Sequence, residues 1–188
     1  MKMTEEVEVI AKYAFESERK LRITAKVGLA FPTIKERIVR EFVQSVIAKL
    51  KARLGKSWDV EDGWSEAPLK RGSYIAVYRP TWAMDAGIGL HCDKTGPSDL
   101  NFFVYLQKKH KTPSAAKLGE ALDGRYAHGG HSGNNPWWKH VDLPYRDWNT
   151  EAALIGLWKK HEAVDYYANH LLKIWKIASP FMNKICGK

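Results

Sequence analysis

Asp99, Gln107 and Lys109 stand in the segment PSDLNFFVYLQKK, a carboxylate leading into an apolar run that closes on Gln-x-Lys. Residues of these types serve Mg2+-dependent phosphodiester hydrolysis: oxygen ligands hold the metal, and a lysine sits near the attacking water. In a strand, Gln107 and Lys109 point to the same side, because side chains alternate between faces. Gln is a poorer Mg2+ ligand than Glu, however, and beyond Glu61 or Glu66 there is no second acid to complete the set. A strand with a basic end accounts for the same three residues without a metal. A Mg2+-dependent nuclease is therefore an alternative reading, and no catalytic residue is assigned outright.

Histidines offer two further constellations. His128, His131 and His140 include a His-x-x-His pair, but a metal site wants three or four protein ligands with cysteine or carboxylate support. The pair lies in a Gly/Asn-rich loop, far in sequence from Cys92 and Cys186. Surface loop histidines are expected, and no metal. His161 and Asp165 lie one helical turn apart beside an apolar stripe. A buried pair of this kind can hold an imidazole tautomer for acid–base work, or can simply satisfy itself inside a core. No Ser or Cys nucleophile is spaced to complete a triad with it. Neither GxxxxGK[ST] nor GxGxxG occurs, so nucleotide hydrolysis lacks its phosphate cradle. No cofactor is implied.

Binding chemistry is better represented. In NPWWKHVDLPYRDWN, Trp137, Trp138, Tyr145 and Trp148 alternate with Lys139, His140 and Arg146. Aromatics interleaved with cations can stack bases and follow phosphates, or anchor a protein interface. The same rings can also plug the gap between a sheet and a helix. The net charge is +9 and unevenly spread. Residues 31–56 carry seven Lys/Arg against two Glu, and residues 57–66 reverse the sign with Asp59, Glu61, Asp62 and Glu66. The excess returns at Lys108, Lys109, Lys111 and Lys117. Such a field favours nucleic acid or an acidic protein surface as partner. Arg37, Arg40 and Lys51 share one side of a helix, within about 60° of arc at roughly 100° per residue. With Lys108, Lys109, Lys111, Trp137, Trp138, Tyr145 and Arg146 they make up the predicted binding surface.

Elements must carry these residues. Pro32 breaks the chain, Thr33 and Glu36 make a capping box, and a helix is predicted over 34–54, stopped by Gly55. Ile38, Phe42, Val46, Leu50 and Leu54 form its apolar face, with Arg37, Arg40, Gln44 and Lys51 opposite. SYIAVYRP, AGIGLHCD and LNFFVYLQKK read as strands, and the links TWAMD and KTGPSD are too short for a crossover helix, so the pairing is antiparallel. A small helix follows over 115–122, then a Gly/His/Asn loop over 123–136. A closing helix over 149–178 aligns Leu154, Leu157, Val164, Ala168, Leu171, Leu172 and Trp175, with Asn149 or Thr150 as its cap. The predicted class is α+β: an antiparallel sheet of three or more strands packed against two long helices. Residues 1–31 form an N-terminal arm, a helix plus the extended stretch LRITAKVGLAF, and residues 32–188 a single compact domain. Eight Trp and eight Tyr in 188 residues supply ample core. No run of apolar residues is long enough to span a membrane. The acidic start MKMTEEVEVI lacks a secretory apolar run, and two cysteines are too few for a disulfide framework. A cytoplasmic protein is expected.

The order of basic helix, acidic GWSE turn, YIAVYRPTW, GIGLHCD, PWWKHVDLPYRDWN and long helix has a familiar outline. Over residues 34–178 it resembles the C-terminal accessory region of some PD-(D/E)XK nuclease superfamily proteins of bacteria and phages. There the region follows the nuclease core and is not itself catalytic. The resemblance thus implies a non-enzymatic module in a phage or defence setting. The expected function is a binding module engaging nucleic acid, or an acidic surface of a nucleic-acid-processing complex. An inhibitor of a host or phage defence system, anchored by the aromatic loop, is the alternative beside the nuclease.

Overall fold

The computed structural model describes residues 5–65, 68–82, 85–94, 97–107 and 113–186. The chain divides into two compact units, one through Arg37 and one from Ile38.

In the first unit lie helix α1, Glu5–Phe15, and the beginning of helix α2, Glu18–Leu54. The stretch expected to be extended is helix instead. Pairs one turn apart favour it: Lys20 with Glu16, and Arg22, whose Nε donates to Glu18 Oε1 at 2.9 Å. Thr24 donates its hydroxyl to the Lys20 carbonyl at 3.0 Å. Pro32 lies inside the helix and does not break it, so Thr33 and Glu36 cap nothing. A proline loses one N–H and crowds the carbonyl four residues back. That residue is Gly28, with open space where a Cβ would stand.

The second unit is built on a six-stranded sheet ordered β1-β2-β3-β4-β6-β5. Its strands are β1 Asp59–Asp62, β2 Tyr74–Tyr78, β3 Ala86–Lys94, β4 Ser98–Leu106, β5 Gly130–Ser132 and β6 Asn135–His140. Every neighbouring pair is antiparallel, as the short links require for β2, β3 and β4. The α+β class therefore holds, with three strands more than the sequence announces. The expected loop over 123–136 supplies β5 and the start of β6. Its glycines read as loop, yet they are there for close packing. A Cβ at Gly129 would come 2.6 Å from the Trp138 carbonyl, and one at Gly130 would enter the Trp138 ring.

Helix α3 covers Pro113–Arg125. The expected closing helix is two helices, α4 Glu151–Lys159 and α5 His161–Cys186, divided at Lys160, whose φ is 66°. Thr150 caps α4, its hydroxyl accepting from the Ala153 N–H at 3.3 Å.

One apolar cluster, beginning at Val39, unites α2, α3, α4, α5 and one face of the sheet. The strand residues in it alternate: Ile75 and Val77, Ile88 and Leu90, then Leu100, Phe102, Val104 and Leu106. Phe102 stacks on His170 of α5 at 5.4 Å, and Phe42 of α2 meets Trp148 edge-on at 5.4 Å. Burying a side chain of this size contributes about 1.5–3 kcal/mol, which is why the period-two pattern fixes the strand faces.

Candidate functional site

Alternation leaves a second sheet face, on the side away from Phe102. It carries Tyr74, Ala76 and Tyr78 from β2, Gly87, Gly89 and His91 from β3, Phe103 and Tyr105 from β4, and Trp138 and His140 from β6. The large rings here are half-buried. Glycines let them lie close to the sheet: Phe103 spans Gly89, whose Cβ would stand 2.7 Å from the ring. His91 meets Phe103 edge-on at 5.0 Å, and Trp138 meets His140 at 5.2 Å.

One end of this face is polar. His91, Asn101 and His140 stand side by side on β3, β4 and β6. Asn101 is 1% exposed. It donates to Asp93 Oδ2 at 2.6 Å and to the Asp99 carbonyl at 2.8 Å, and its Oδ1 has no partner among the described residues. Asp99 gathers three partners: Arg146 donates to it from Nε at 2.9 Å, Lys94 lies at 3.3 Å and the His140 ring at 3.4 Å. The Arg146 hydrogen bond, aided by Lys94, holds the Asp99 carboxyl below its ordinary value against the opposing effect of burial. Burial pulls the His91 imidazole down, while Asp93 opposes that shift. Lys70 and Arg71 are exposed at the same end, because Cys92 donates its thiol to the Lys70 carbonyl and accepts at its own carbonyl from Gly72 N–H. Lys94 and Arg146 thus meet Asp99 at this end, with Lys70 and Arg71 exposed on the adjoining turn.

The residues predicted from sequence fare differently. Trp137 is fully buried, as is Trp148, so both rings pack the core. Tyr145 is half-buried and leans on Tyr166 at 5.1 Å. Trp138 and Arg146 do come together: with His128, Lys139 and His140 they line an open cavity of about 430 Å3. On α2, Arg37 is exposed, whereas Arg40 donates to the Ser65 carbonyl and Lys51 stands 3.5 Å from Asp59. Gln44 donates to Asp62 at 2.6 Å. Part of the acidic reversal over 57–66 therefore answers the basic helix within the chain. Lys108, Lys109 and Lys111 lie outside the described residues, as does Glu66.

The metal-hydrolysis set does not assemble. Asp99 lies near the start of β4 and Gln107 one residue past its end, about 26 Å apart along an extended chain, too far to share an ion. Gln107 uses its N–H on the Asp85 carbonyl at 2.9 Å. His161 and Asp165, expected to be buried, are both exposed. They fall on the outer arc of α5 while Ala163, Val164, Tyr167 and Ala168 turn inward, and Asp165 pairs with Lys49. His131 is held by Asp123 at 3.0 Å and the Pro136 carbonyl at 2.6 Å. No group of three His, Cys, Asp or Glu among the described residues is placed to hold a metal.

The sheet-face residues Tyr74, Tyr78, His91, Phe103 and Tyr105 went unremarked as site residues in the sequence. The signal was present in YIAVY and LNFFVYL, where aromatics hold the alternate positions, opposite the aliphatic ones. No protein-family model matches the chain, and no curated protein or solved structure is significantly similar to it.

Proposed function

We propose that this chain is a non-enzymatic module that binds single-stranded nucleic acid across the open face of its sheet. The observation that carries the reading is the ring set Tyr105, Phe103 and Trp138, presented by adjacent strands on the side opposite the helix-packed Phe102. Every base offers a π face, so such rings take successive bases with little regard to sequence. Single-stranded bases are accepted in this way on exposed aromatic sheet faces. The polar end, where Lys94 and Arg146 gather on Asp99 and Lys70 and Arg71 are exposed on the adjoining turn, supplies a place for phosphate. The net charge of +9 draws a polyanion toward it. On the reading that residues 34–178 resemble a non-catalytic accessory region, the module serves a nucleic-acid-processing complex of phage or defence origin.

The test is titration of oligo(dT) and oligo(U) at rising salt, followed by tryptophan fluorescence. Phosphate contacts release counterions, so affinity should fall steeply with salt. Phe103→Ala and Trp138→Ala should each weaken binding by about five- to a hundredfold, the range for one lost stacking platform, with the protein still folded. Binding that is absent at low salt, or indifferent to both substitutions, would reject the reading.

A further inference from the structure

Between β2 and β4 the open face is hollowed into a slot of about 280 Å3. Tyr74 and Tyr78 stand on its β2 side, Phe103 and Tyr105 on its β4 side, Ala76 and Gly87 form its floor, and Glu61 of β1 closes one end. The hollow exists because β3 offers no side chain at Gly87, which faces Tyr105 in register. A Cβ added there would meet nothing nearer than the Ala76 methyl at 3.7 Å.

The lining has one electrical character. Four rings line a small volume, and the face of an aromatic ring, which carries the negative side of its quadrupole, attracts cations. Glu61 adds a full negative charge, and no Lys, Arg or His belongs to the described lining. Tyr74 donates its hydroxyl to Glu61 Oε1 at 2.6 Å, which fixes the carboxylate and leaves its other oxygen for a ligand. Burial and Glu61 push the Tyr74 phenol up to about 12, so the ring carries no charge of its own. Lys51, the nearby cation, is 3.5 Å from Asp59, which also accepts from Tyr78. The volume lies just under the range of about 300–1,000 Å3 usual for small-molecule sites. It suits a headgroup more than a whole cofactor.

We propose that this slot binds an alkylated ammonium head, the chemistry shared by methylated lysine and choline. Quaternary nitrogens carry no N–H to be satisfied, and their positive methyl shells fit a cage of rings closed by a carboxylate. The slot shares Phe103 and Tyr105 with the proposed base platform, and Glu61 at its acidic end gives it a preference for cations that the platform itself lacks.

The experiment uses the full chain. Choline, a trimethyllysine peptide, its unmodified counterpart and the neutral isostere 3,3-dimethylbutanol are titrated at constant ionic strength, with calorimetry and the tyrosine ring proton signals as readouts. Choline or the methylated peptide should bind and shift ring signals, and the neutral alcohol should bind at least about tenfold more weakly. Glu61→Gln keeps an acceptor for Tyr74 and should weaken the cation by up to about fivefold, the span of an ion pair open to solvent. Gly87→Val fills the floor and should abolish cation binding, whereas Glu61→Gln, which alters none of the stacking rings, should leave oligonucleotide binding at least as strong as in the parent. A methylated peptide that outcompetes choline points to a protein partner, and the reverse order to a small molecule. Equal binding of the neutral alcohol would show a merely apolar slot and overturn the proposal, as would Glu61→Gln and Gly87→Val variants that bind like the parent.

Discussion

Arg146 donates from Nε to Asp99 Oδ1 at 2.9 Å across 47 positions of chain. Backbone bonds run beside it: Leu100 N–H to the Arg146 carbonyl at 3.0 Å, and Trp148 N–H to the Pro97 carbonyl at 3.0 Å. The carboxylate that reads as a metal ligand in the sequence is a clamp in the fold, fastening the 146–148 segment to the start of β4. Asp99 holds φ at 59°, a left-handed conformation that Asp and Asn adopt more readily than other residues with a Cβ.

Asp99→Asn therefore removes the charge and keeps the backbone tolerated. The folded pKa of Asp99 lies below its ordinary value, so the pair stabilises the protein above the usual carboxylate range. That contribution disappears as pH falls through the lowered folded value. The variant should lose about 1 kcal/mol at pH 7, a modest figure because both side chains keep some contact with solvent. At about pH 2 parent and variant should unfold at the same urea concentration. A gap that persists in acid would assign the loss to packing or backbone instead of charge.

Trp137 and Trp138 are neighbours in sequence on opposite faces of β6. Trp137 is fully buried, meets Tyr126 edge-on at 5.4 Å and donates from Nε1 to the Ala127 carbonyl at 3.2 Å. Trp138 lies half-buried over Gly130. Trp137→Ala should cost about 3–5 kcal/mol, as for large rings lost from a core, and Trp138→Ala less than half of that by chemical denaturation. Equal losses would mean that Trp138 is as much a part of the core as its neighbour, and would remove it from the binding face.

The fold was legible where hydrophobic period and link length speak together. Ile88 and Leu90 alternate with Gly87 and Gly89, and TWAMD leaves no room for a crossover, so strands and antiparallel pairing follow. Helical continuity through Pro32 was not legible, because local propensity marks a break that the helix spans with one N–H missing. Nor was the break at Lys160, since the apolar stripe runs on either side of it. The site was harder still. Arg40 and Lys51 read as a free basic stripe, and only the fold brings Ser65 and Asp59 to them. Phe103 reads as one more core aromatic until the register sets it over Gly89.

One hydroxyl joins three members of the aromatic cluster behind the sheet. Tyr167, fully buried, accepts from Trp148 Nε1 at 2.7 Å and donates to the Tyr145 carbonyl at 2.6 Å. Its phenol is pushed far above its ordinary value by burial, more than the Trp148 bond offsets, so it is a donor at neutral pH. Tyr167→Phe fills nearly the same volume but leaves an indole N–H and a carbonyl without partners. Each unsatisfied buried group costs about 1–3 kcal/mol, so the single change should destabilise by at least about 2 kcal/mol. Trp148→Phe removes the donor and leaves the hydroxyl its carbonyl. If the Trp148–Tyr167 bond matters as proposed, the double variant should lose less than the sum of the two singles, because the indole N–H orphaned by Tyr167→Phe no longer exists. Urea denaturation of the four proteins closes that cycle. Strict additivity would show that shape, and not the shared hydrogen bond, joins the two rings.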